Sequence, residues 1–234
     1  ARILVSGPSF NYQRVIPEAD DLAQKAKLNH DGSWTYTFAD RLPAVYAPPY
    51  NDTPSFGPED GELTGQPLLA GTYTVGLYVG WDYTVLGDSF RDAADATQDF
   101  LLGASFTPLP REVVRQENCN QCHESLRAHG GLRRDVKLCL MCHTAGAEDR
   151  NVPGVASGTP GASVEFDVMI HKIHNGKHLP SVLGVGTKFN GLRDYAQTPE
   201  PYQLVGFMDS VHDYSNVGFP VWPNLNIPLP RDGG

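Results

Sequence analysis

The chain has 234 residues, 40% of them hydrophobic, which is enough for one large or two modest domains with ordinary cores. Its 27 acidic and 18 basic residues give a net charge of −9, which argues against nucleic acid or an anionic membrane surface as the main partner. No apolar run is long enough to cross a membrane as a helix.

Residues 1–108 have the pattern of a β-rich domain. Strand-forming residues alternate over residues 33–38 and over the longer run 73–85, and glycines such as Gly65 and Gly71 lie between such segments. This half holds 14 acidic and 6 basic residues, and therefore most of the net negative charge. We expect a mainly β domain here, built as a small antiparallel sandwich or barrel.

The segment 107–111 contains Pro108 and Pro110, which predict a stiff linker between a domain over residues 1–108 and one over residues 109–234. The second half holds all four cysteines and seven of the eight histidines. Its tail, residues 219–230, is too rich in proline to form a helix. We expect an irregular C-terminal domain with few short helices.

Two short helices are expected in the second half. The first follows the first cysteine motif and ends at Gly130 and Gly131, because glycine commonly ends a helix. The second runs from about residue 164 to residue 173 and ends at Asn175 and Gly176. Its apolar stripe at helical spacing consists of Phe166, Met169, Ile170 and Ile173.

The strongest chemical signal is a repeated Cys-x-x-Cys-His motif. It occurs as Cys119-Asn-Gln-Cys122-His123 and again as Cys139-Leu-Met-Cys142-His143, which together use every cysteine of the chain. This pattern is typical of covalent haem c attachment. The two thiols lie on one turn and add to the two vinyl groups along one porphyrin edge, and the following histidine then supplies the proximal iron ligand. The sequence therefore predicts two haem c groups, and we expect these groups to organise the C-terminal domain.

Three other interpretations of the cysteines stay open. The spacing also fits a four-cysteine structural zinc site, although zinc does not require a histidine after each pair. A thioredoxin-like redox pair needs one Cys-x-x-Cys at a helix start after a strand, and that context is not evident. A disulfide framework fits the even number of cysteines but leaves His123 and His143 unexplained.

The second axial ligand of each iron is a histidine or a methionine. Met141 lies inside an attachment motif and Met169 lies on the apolar stripe, so we favour bis-histidine ligation. His171 and His174 are the first candidates, since they are three residues apart beside that stripe and one helix then serves two haems. His129 competes with them, either for the other haem or for a haem of another chain.

The remaining histidines and the basic residues are weaker candidates. His178 and His212 are expected to be solvated or structural, and His30 lies in a predicted turn. Basic groups near the motifs are either partners of haem propionates or ordinary surface charge. These basic residues are Arg127, Arg133, Arg134, Lys137 and Lys172.

The motif region resembles the outer-membrane multihaem cytochromes of the OmcA/MtrC type. The likeness is dense over residues 119–178, including His129-Gly-Gly and Met169-Ile-His-Lys-Ile-His174, and is weaker over residues 210–220. That family typically carries ten haems, whereas this chain has two attachment motifs. The resemblance implies a short two-haem form of the family, located outside the cytoplasm at the outer-membrane surface, in the periplasm or in the extracellular space.

We expect the chain to be an electron carrier rather than an enzyme, acting in extracellular or cell-envelope electron transfer. The expected partners are other redox proteins or haem subunits and an external acceptor, and the surplus of histidines favours a homo-oligomer or filament. A haem enzyme with an open iron site and a zinc-stapled structural or binding module are the alternatives.

Overall fold

The structure is a computed structural model that describes residues 1–50, 61–149, 162–188, 190–195 and 197–219. Its strands are β1 (Arg2–Gly7), β2 (Gln13–Ala19), β3 (Lys27–Leu28), β4 (Trp34–Thr35), β5 (Gly71–Val85), β6 (Asp88–Leu102), β7 (Gly186–Thr187), β8 (Arg193–Asp194), β9 (Gln203–Val205) and β10 (Val211–Asp213). Its α-helices are α1 (Leu22–Lys25), α2 (Gln116–His123), α3 (Val136–Cys142) and α4 (Phe166–His174), and 3₁₀ turns cover Gly176–His178 and Phe207–Asp209.

An antiparallel sheet with the strand order β2-β1-β5-β6 is the framework of the N-terminal half. Strands β5 and β6 have 15 residues each and pair along their whole length. Leu86 and Gly87 join them in a two-residue turn with φ values of 53° and 97°, a conformation that suits the twist of a hairpin. The predicted β-rich N-terminal domain is therefore confirmed.

One face of this sheet carries a hydrophobic core. The core residues are Val5, Val15, Ile16, Tyr46, Leu63 and Tyr73, with Phe38, Leu68, Val75, Phe100 and Leu102 packed against them. The buried phenols are satisfied, because Tyr73 donates to the carbonyl of Leu69 at 2.6 Å and lies 2.7 Å, oxygen to oxygen, from Tyr46.

Helix α3 covers the opposite face of the sheet and contacts β1, β2, β5 and β6. Successive strand residues point to opposite faces, so Ser6 and Gly76 face the helix while Val5 and Val75 face the core. Ser6 donates to the carbonyl of Met141 at 2.7 Å. A Cβ atom on Gly76 would lie 2.6 Å from the Met141 sulfur, and a side chain there would therefore displace the helix.

One local prediction differs from the structure, and one strand was not predicted. The predicted strand over residues 33–38 is reduced to Trp34–Thr35, which pairs with Lys27–Leu28 at an exposed part of the chain. Strand β6 is rich in aspartate and alanine, which strands disfavour, and it forms because β5 supplies a partner at every residue.

The described residues fall into two compact units. The first holds the described residues of 1–49 and 54–145, and the second holds Tyr50 and the described residues from Gly146 onward. Residues 109–145 thus pack with the sheet, while the domain boundary at residues 108 and 109 stays a prediction. The proline-rich tail lies outside the described residues. No helix in the described part of the chain is long and apolar enough to cross a membrane.

The second unit is built from short elements around helix α4. Its small core consists of Ala162, Tyr202 and Leu204, against which Val164, Met169, Ile173, Leu179, Val182 and Tyr214 pack. Two-stranded pairs β7–β8 and β9–β10 complete the described part of this unit. The expectation of an irregular C-terminal region with short helices is confirmed.

Candidate functional site

The first Cys-x-x-Cys-His motif lies on helix α2, which ends at His123 because Glu124 adopts a φ of 54°. Cys119, Cys122 and His123 are separated by three residues and one residue, so all three share one side of the helix. Cys119 is half-buried and Cys122 is exposed. The predicted helix that follows this motif and ends at Gly130 is wrong, since the motif itself is helical and the next residues form a loop.

The second motif lies on helix α3, which the sequence prediction missed. Asp135 caps its first turn by accepting from the backbone nitrogen of Lys137 at 2.7 Å. Cys139 is buried, Cys142 is half-buried, and His143 follows as the C-cap residue, with its backbone nitrogen bonded to the Cys139 carbonyl at 3.0 Å. The sheet therefore fixes the second motif much more firmly than the first.

All four cysteines are free, which contradicts a disulfide framework. Burial raises the pKa of Cys139 to about 12 and that of Cys142 to about 11, and it also raises the pKa of Cys119. Redox-active Cys-x-x-Cys pairs have the opposite property, a lowered thiol pKa. Within the described ranges, no three His, Cys, Asp or Glu side chains converge in the way that a metal ion requires.

His129 lies beside His143, the histidine of the second motif. The His129 and His143 ring centres are 5.9 Å apart and their planes are inclined by 35°. A metal lies about 2 Å from an imidazole nitrogen and the ring centre roughly 1 Å further back, so two imidazoles on opposite sides of one metal have centres about 6 Å apart. The observed separation fits two axial ligands of one iron.

The electrostatics of His129 suit a ligand. Desolvation of its ring, the positive charge of Arg133 and the adjacent His143 lower the pKa of His129 to about 4. The imidazole is therefore neutral at physiological pH, and neutral imidazole is the form that binds metals. His129 also keeps part of its surface exposed, which leaves room for a group beside the ring.

The predicted helix around His171 and His174 forms as α4, close to the predicted range. The Nδ1 atom of His171 lies 2.6 Å from the carbonyl of Asp167, and that of His174 lies 2.8 Å from the carbonyl of Ile170. A backbone carbonyl partner at Nδ1 fixes the ring tautomer and leaves Nε2 as the metal-binding atom. Both side chains thus have the local arrangement of histidine ligands.

The other candidate axial ligands have structural surroundings. Met141 is 1% exposed beneath the sheet, and Met169 packs against the core of the second unit, as predicted for both. His178 is exposed on a 3₁₀ turn, and the Nε2 atom of His212 lies 3.2 Å from the Ser210 hydroxyl. These positions leave His129, His171 and His174 as the better candidates.

Most of the basic residues near the motifs have protein partners. Arg133 pairs with Glu18 at 2.7 Å, Arg134 with Asp92 at 3.0 Å, and Lys137 with Asp99 at 2.6 Å. The Lys172 ammonium lies 5.9 Å from the centre of the Tyr202 ring, whereas Arg127 is exposed. Three of these charges therefore tie the motif region to the N-terminal half, a role that the sequence did not indicate.

Comparison with known proteins agrees with these features. Residues 111–211, which contain both motifs and helix α4, match the family model described as outer membrane cytochrome MtrC/MtrF-like, domains II/IV. The multihaem cytochrome MtrC of Shewanella baltica (strain OS185) is 30% identical over 155 residues, a match that covers 65% of this chain and 19% of the relative. The chain thus spans about a fifth of the length of this curated relative.

The fold is also similar to a solved structure. The crystal structure of the outer membrane decahaem cytochrome OmcA aligns with a TM-score of 0.55 and 24% sequence identity, covering 92% of this chain and 26% of that chain. The likeness extends over the N-terminal sheet, which lies outside the range of the family model. The family model, the curated relative and the solved structure therefore all support a likeness to the OmcA/MtrC-type outer-membrane multihaem cytochromes, which in the family model covers residues 111–211.

Proposed function

We propose that the chain is a two-haem electron relay, with one haem c attached at Cys119 and Cys122 and a second at Cys139 and Cys142. The observation that carries the proposal is the His129–His143 pair, whose ring centres lie 5.9 Å apart beside the second motif. The likeness to outer-membrane multihaem cytochromes supports the attachment chemistry and a location outside the cytoplasm.

At the second site, His143 serves as the proximal ligand and His129 as the distal ligand. Helix α3 holds the two thiols and His143 against the sheet, and the loop that follows α2 carries His129 to the same place. With both imidazoles bound, the iron would have no open position for an external ligand. Haem held there would supply a one-electron ferric–ferrous couple, with a reduced redox protein as electron donor and an external oxidant as electron acceptor.

At the first site, His123 is the proximal ligand. Two irons have four axial positions, and His123, His129 and His143 account for three of them. We assign the fourth to one residue of the pair His171 and His174, since each ring is held through Nδ1 by a backbone carbonyl of its own helix. Of the variants His171→Ala and His174→Ala, one is expected to open one iron to carbon monoxide. A variant that leaves every iron closed removes that histidine from the ligand set.

The physiological role that we propose is extracellular or cell-envelope electron transfer. The relatives are a multihaem cytochrome and an outer-membrane decahaem cytochrome, and this chain carries two of the attachment motifs. Two haems form a short relay, so the proposed partners are other redox proteins, further haem subunits and an external acceptor. A longer path for electrons would use haems beyond these two.

The β5–β6 hairpin supports an assembly of subunits. Among the described residues, β1 pairs with β5 only up to Tyr78, so the rest of the hairpin is a two-stranded arm. Tyr83 and Phe90 stack on this arm with ring centres 5.6 Å apart, and each is more than two-fifths exposed. Exposed apolar patches of this kind are typical of interaction sites. Light scattering that detects only monomers at high concentration would contradict the assembly.

The relay is tested by absorption spectra of the oxidised and dithionite-reduced protein, together with a pyridine haemochrome count. We expect a low-spin c-type spectrum, two haems per chain and no carbon monoxide binding to the reduced protein. Cys119→Ser and Cys139→Ser are expected to lower the haem count separately. Carbon monoxide binding by the wild type would favour a haem enzyme, and a colourless protein with bound zinc would overturn the proposal.

A further inference from the structure

The loop that carries His129 has an unfavourable backbone conformation. His129, Gly130 and Gly131 have φ values of 51°, 70° and 82°, so three successive residues lie in the left-handed region. Glycine adopts this region freely, but for a histidine the conformation is unfavourable and persists only where the surroundings enforce it. Something outside the loop must therefore hold His129 in place.

The ends of the loop are joined by backbone hydrogen bonds. The Ala128 nitrogen donates to the Arg133 carbonyl at 2.9 Å, and the Arg133 nitrogen donates to the Ala128 carbonyl at 3.2 Å. Arg133 thus pairs directly with the residue that precedes His129. Residues 128–133 therefore form a closed ring of backbone, in which the position of Arg133 constrains that of His129.

The Arg133 side chain fastens this closed loop to the sheet. Its guanidinium donates to Glu18 on β2 at 2.7 Å and to the Tyr78 hydroxyl on β5 at 3.0 Å, and it lies 4.8 Å from the centre of the Tyr78 ring. The side chains of Arg133 and Glu18 are only 18% and 22% exposed. Ion pairs that are shielded from water in this way are stronger than exposed ones.

Arg134 makes a second attachment. Its Nε atom donates to the Gly131 carbonyl at 3.1 Å, and its guanidinium pairs with Asp92 on β6 at 3.0 Å. The same sheet supports helix α3 and therefore His143. The two arginines thus tie the loop of His129 to the same sheet that positions His143.

We infer that Arg133 is a positioning residue for the second haem site: its contacts with Glu18 and Tyr78 hold the His129 imidazole opposite His143 and so keep that iron closed to external ligands. This inference rests on the proposed function, in which His129 is the distal ligand. It assigns a role in haem ligation to Glu18, which lies 111 positions before His129 in the sequence.

The experiment uses the haem-loaded full chain and measures the fraction of haem that binds carbon monoxide after reduction, together with the spin state of the oxidised protein. Arg133→Gln and Glu18→Gln both break the ion pair but change the net charge in opposite directions. We expect both to raise the carbon monoxide-reactive fraction from none toward half of the haem, with matching high-spin signals. Arg133→Lys, which retains the pair with Glu18, is expected to restore most of the closed form.

Arg127→Gln is the matched control, because it removes the same charge from an exposed residue two positions from His129. It is expected to leave both irons closed. If Arg133→Gln and Glu18→Gln also leave both irons closed, the positioning role is refuted. If they shift the haem potentials in opposite directions without binding carbon monoxide, the arginine acts only through its charge and the inference is again refuted.

His129→Ala separates this inference from the proposed function. If His129→Ala leaves both irons closed, His129 is not a ligand and the ligand assignment fails. If His129→Ala opens one iron while the Arg133 and Glu18 variants do not, the ligand assignment stands and only the positioning role fails. The pyridine haemochrome count is measured for every variant, so that a change in haem loading is not taken for a change in ligation.

Discussion

Leu138→Ala tests how firmly the second motif is held on the sheet. The Leu138 side chain is 1% exposed, and its Cδ1 atom lies 2.9 Å from the position that a Cβ on Gly76 would occupy. Alanine is the best helix former, so the substitution does not weaken the intrinsic helix propensity of α3. The change in the free energy of unfolding therefore reports the packing of the helix against the sheet.

The magnitude follows from the burial of this side chain. Truncating a buried leucine costs about 2–5 kcal/mol, the sum of lost transfer free energy and a cavity term. The helix cannot settle into the cavity, because Ser6 holds the Met141 carbonyl at 2.7 Å and Gly76 already allows the closest approach. We expect a loss of about 3 kcal/mol, which corresponds to a fall in Tm of roughly 6–12 °C for a chain of this size.

The assay is thermal and urea unfolding followed by far-ultraviolet circular dichroism, with the haem count measured on the same samples. Leu109→Ala is the control, since Leu109 is 63% exposed and its truncation is expected to change the free energy of unfolding by less than about 0.5 kcal/mol. If the two variants lower Tm by the same amount, helix α3 is not held by the packing described above.

Three further predictions concern the same framework. Gly76→Ala is expected to lower the free energy of unfolding by about 1–3 kcal/mol through overpacking. Gly71→Ala is the control and is expected to lower it less, because the nearest side-chain atom there is 3.3 Å away. Equal urea midpoints for the two variants would contradict this. Lys137→Met leaves Asp99, whose side chain is 12% exposed, without its 2.6 Å ion pair, and we expect a loss of about 1–3 kcal/mol in the same assay. Burial raises the pKa of Tyr12 to about 12, so its stabilising contribution is complete below the unfolded pKa of about 10 and is lost as the pH rises through the folded value. The difference in phenolate absorbance between the wild type and Tyr12→Phe, followed against pH, gives the titration of Tyr12. If Tyr12 titrates together with the exposed tyrosines, the prediction is refuted.

The chemistry of the protein could be predicted from the sequence because it depends on short spacings. Cys-x-x-Cys-His places two thiols and an imidazole on one side of a helical turn, whatever the rest of the chain does. Helix α4 was predicted for a similar reason, since its apolar stripe from Phe166 to Ile173 has the helical period. The β-rich character of the first half followed from the alternating residues of β5.

Other elements depend on contacts with other segments of the chain, which no local sequence pattern predicts. Strand β6 has a sequence that disfavours strands, and its pairing with β5 overrides that preference. Helix α3 has only seven residues and no polar face, so its apolar run is not distinguishable from a strand by period alone. Only the sheet beneath it, with Ser6 and Gly76 facing the helix, decides its conformation.

The sequence by itself determined that the chain carries two attachment motifs and a surplus of histidines, because those features are local. It did not decide whether His129 is an axial ligand. The predicted helix after the first motif would carry His129 away from the haem attached at Cys119 and Cys122. The tertiary structure brings His129 to His143 by a left-handed turn that Gly130 and Gly131 permit and that Arg133 fastens to Glu18. Contacts between residues more than a hundred positions apart are set by packing and charge pairing in the folded state, and for that reason only the structure decided which histidines meet.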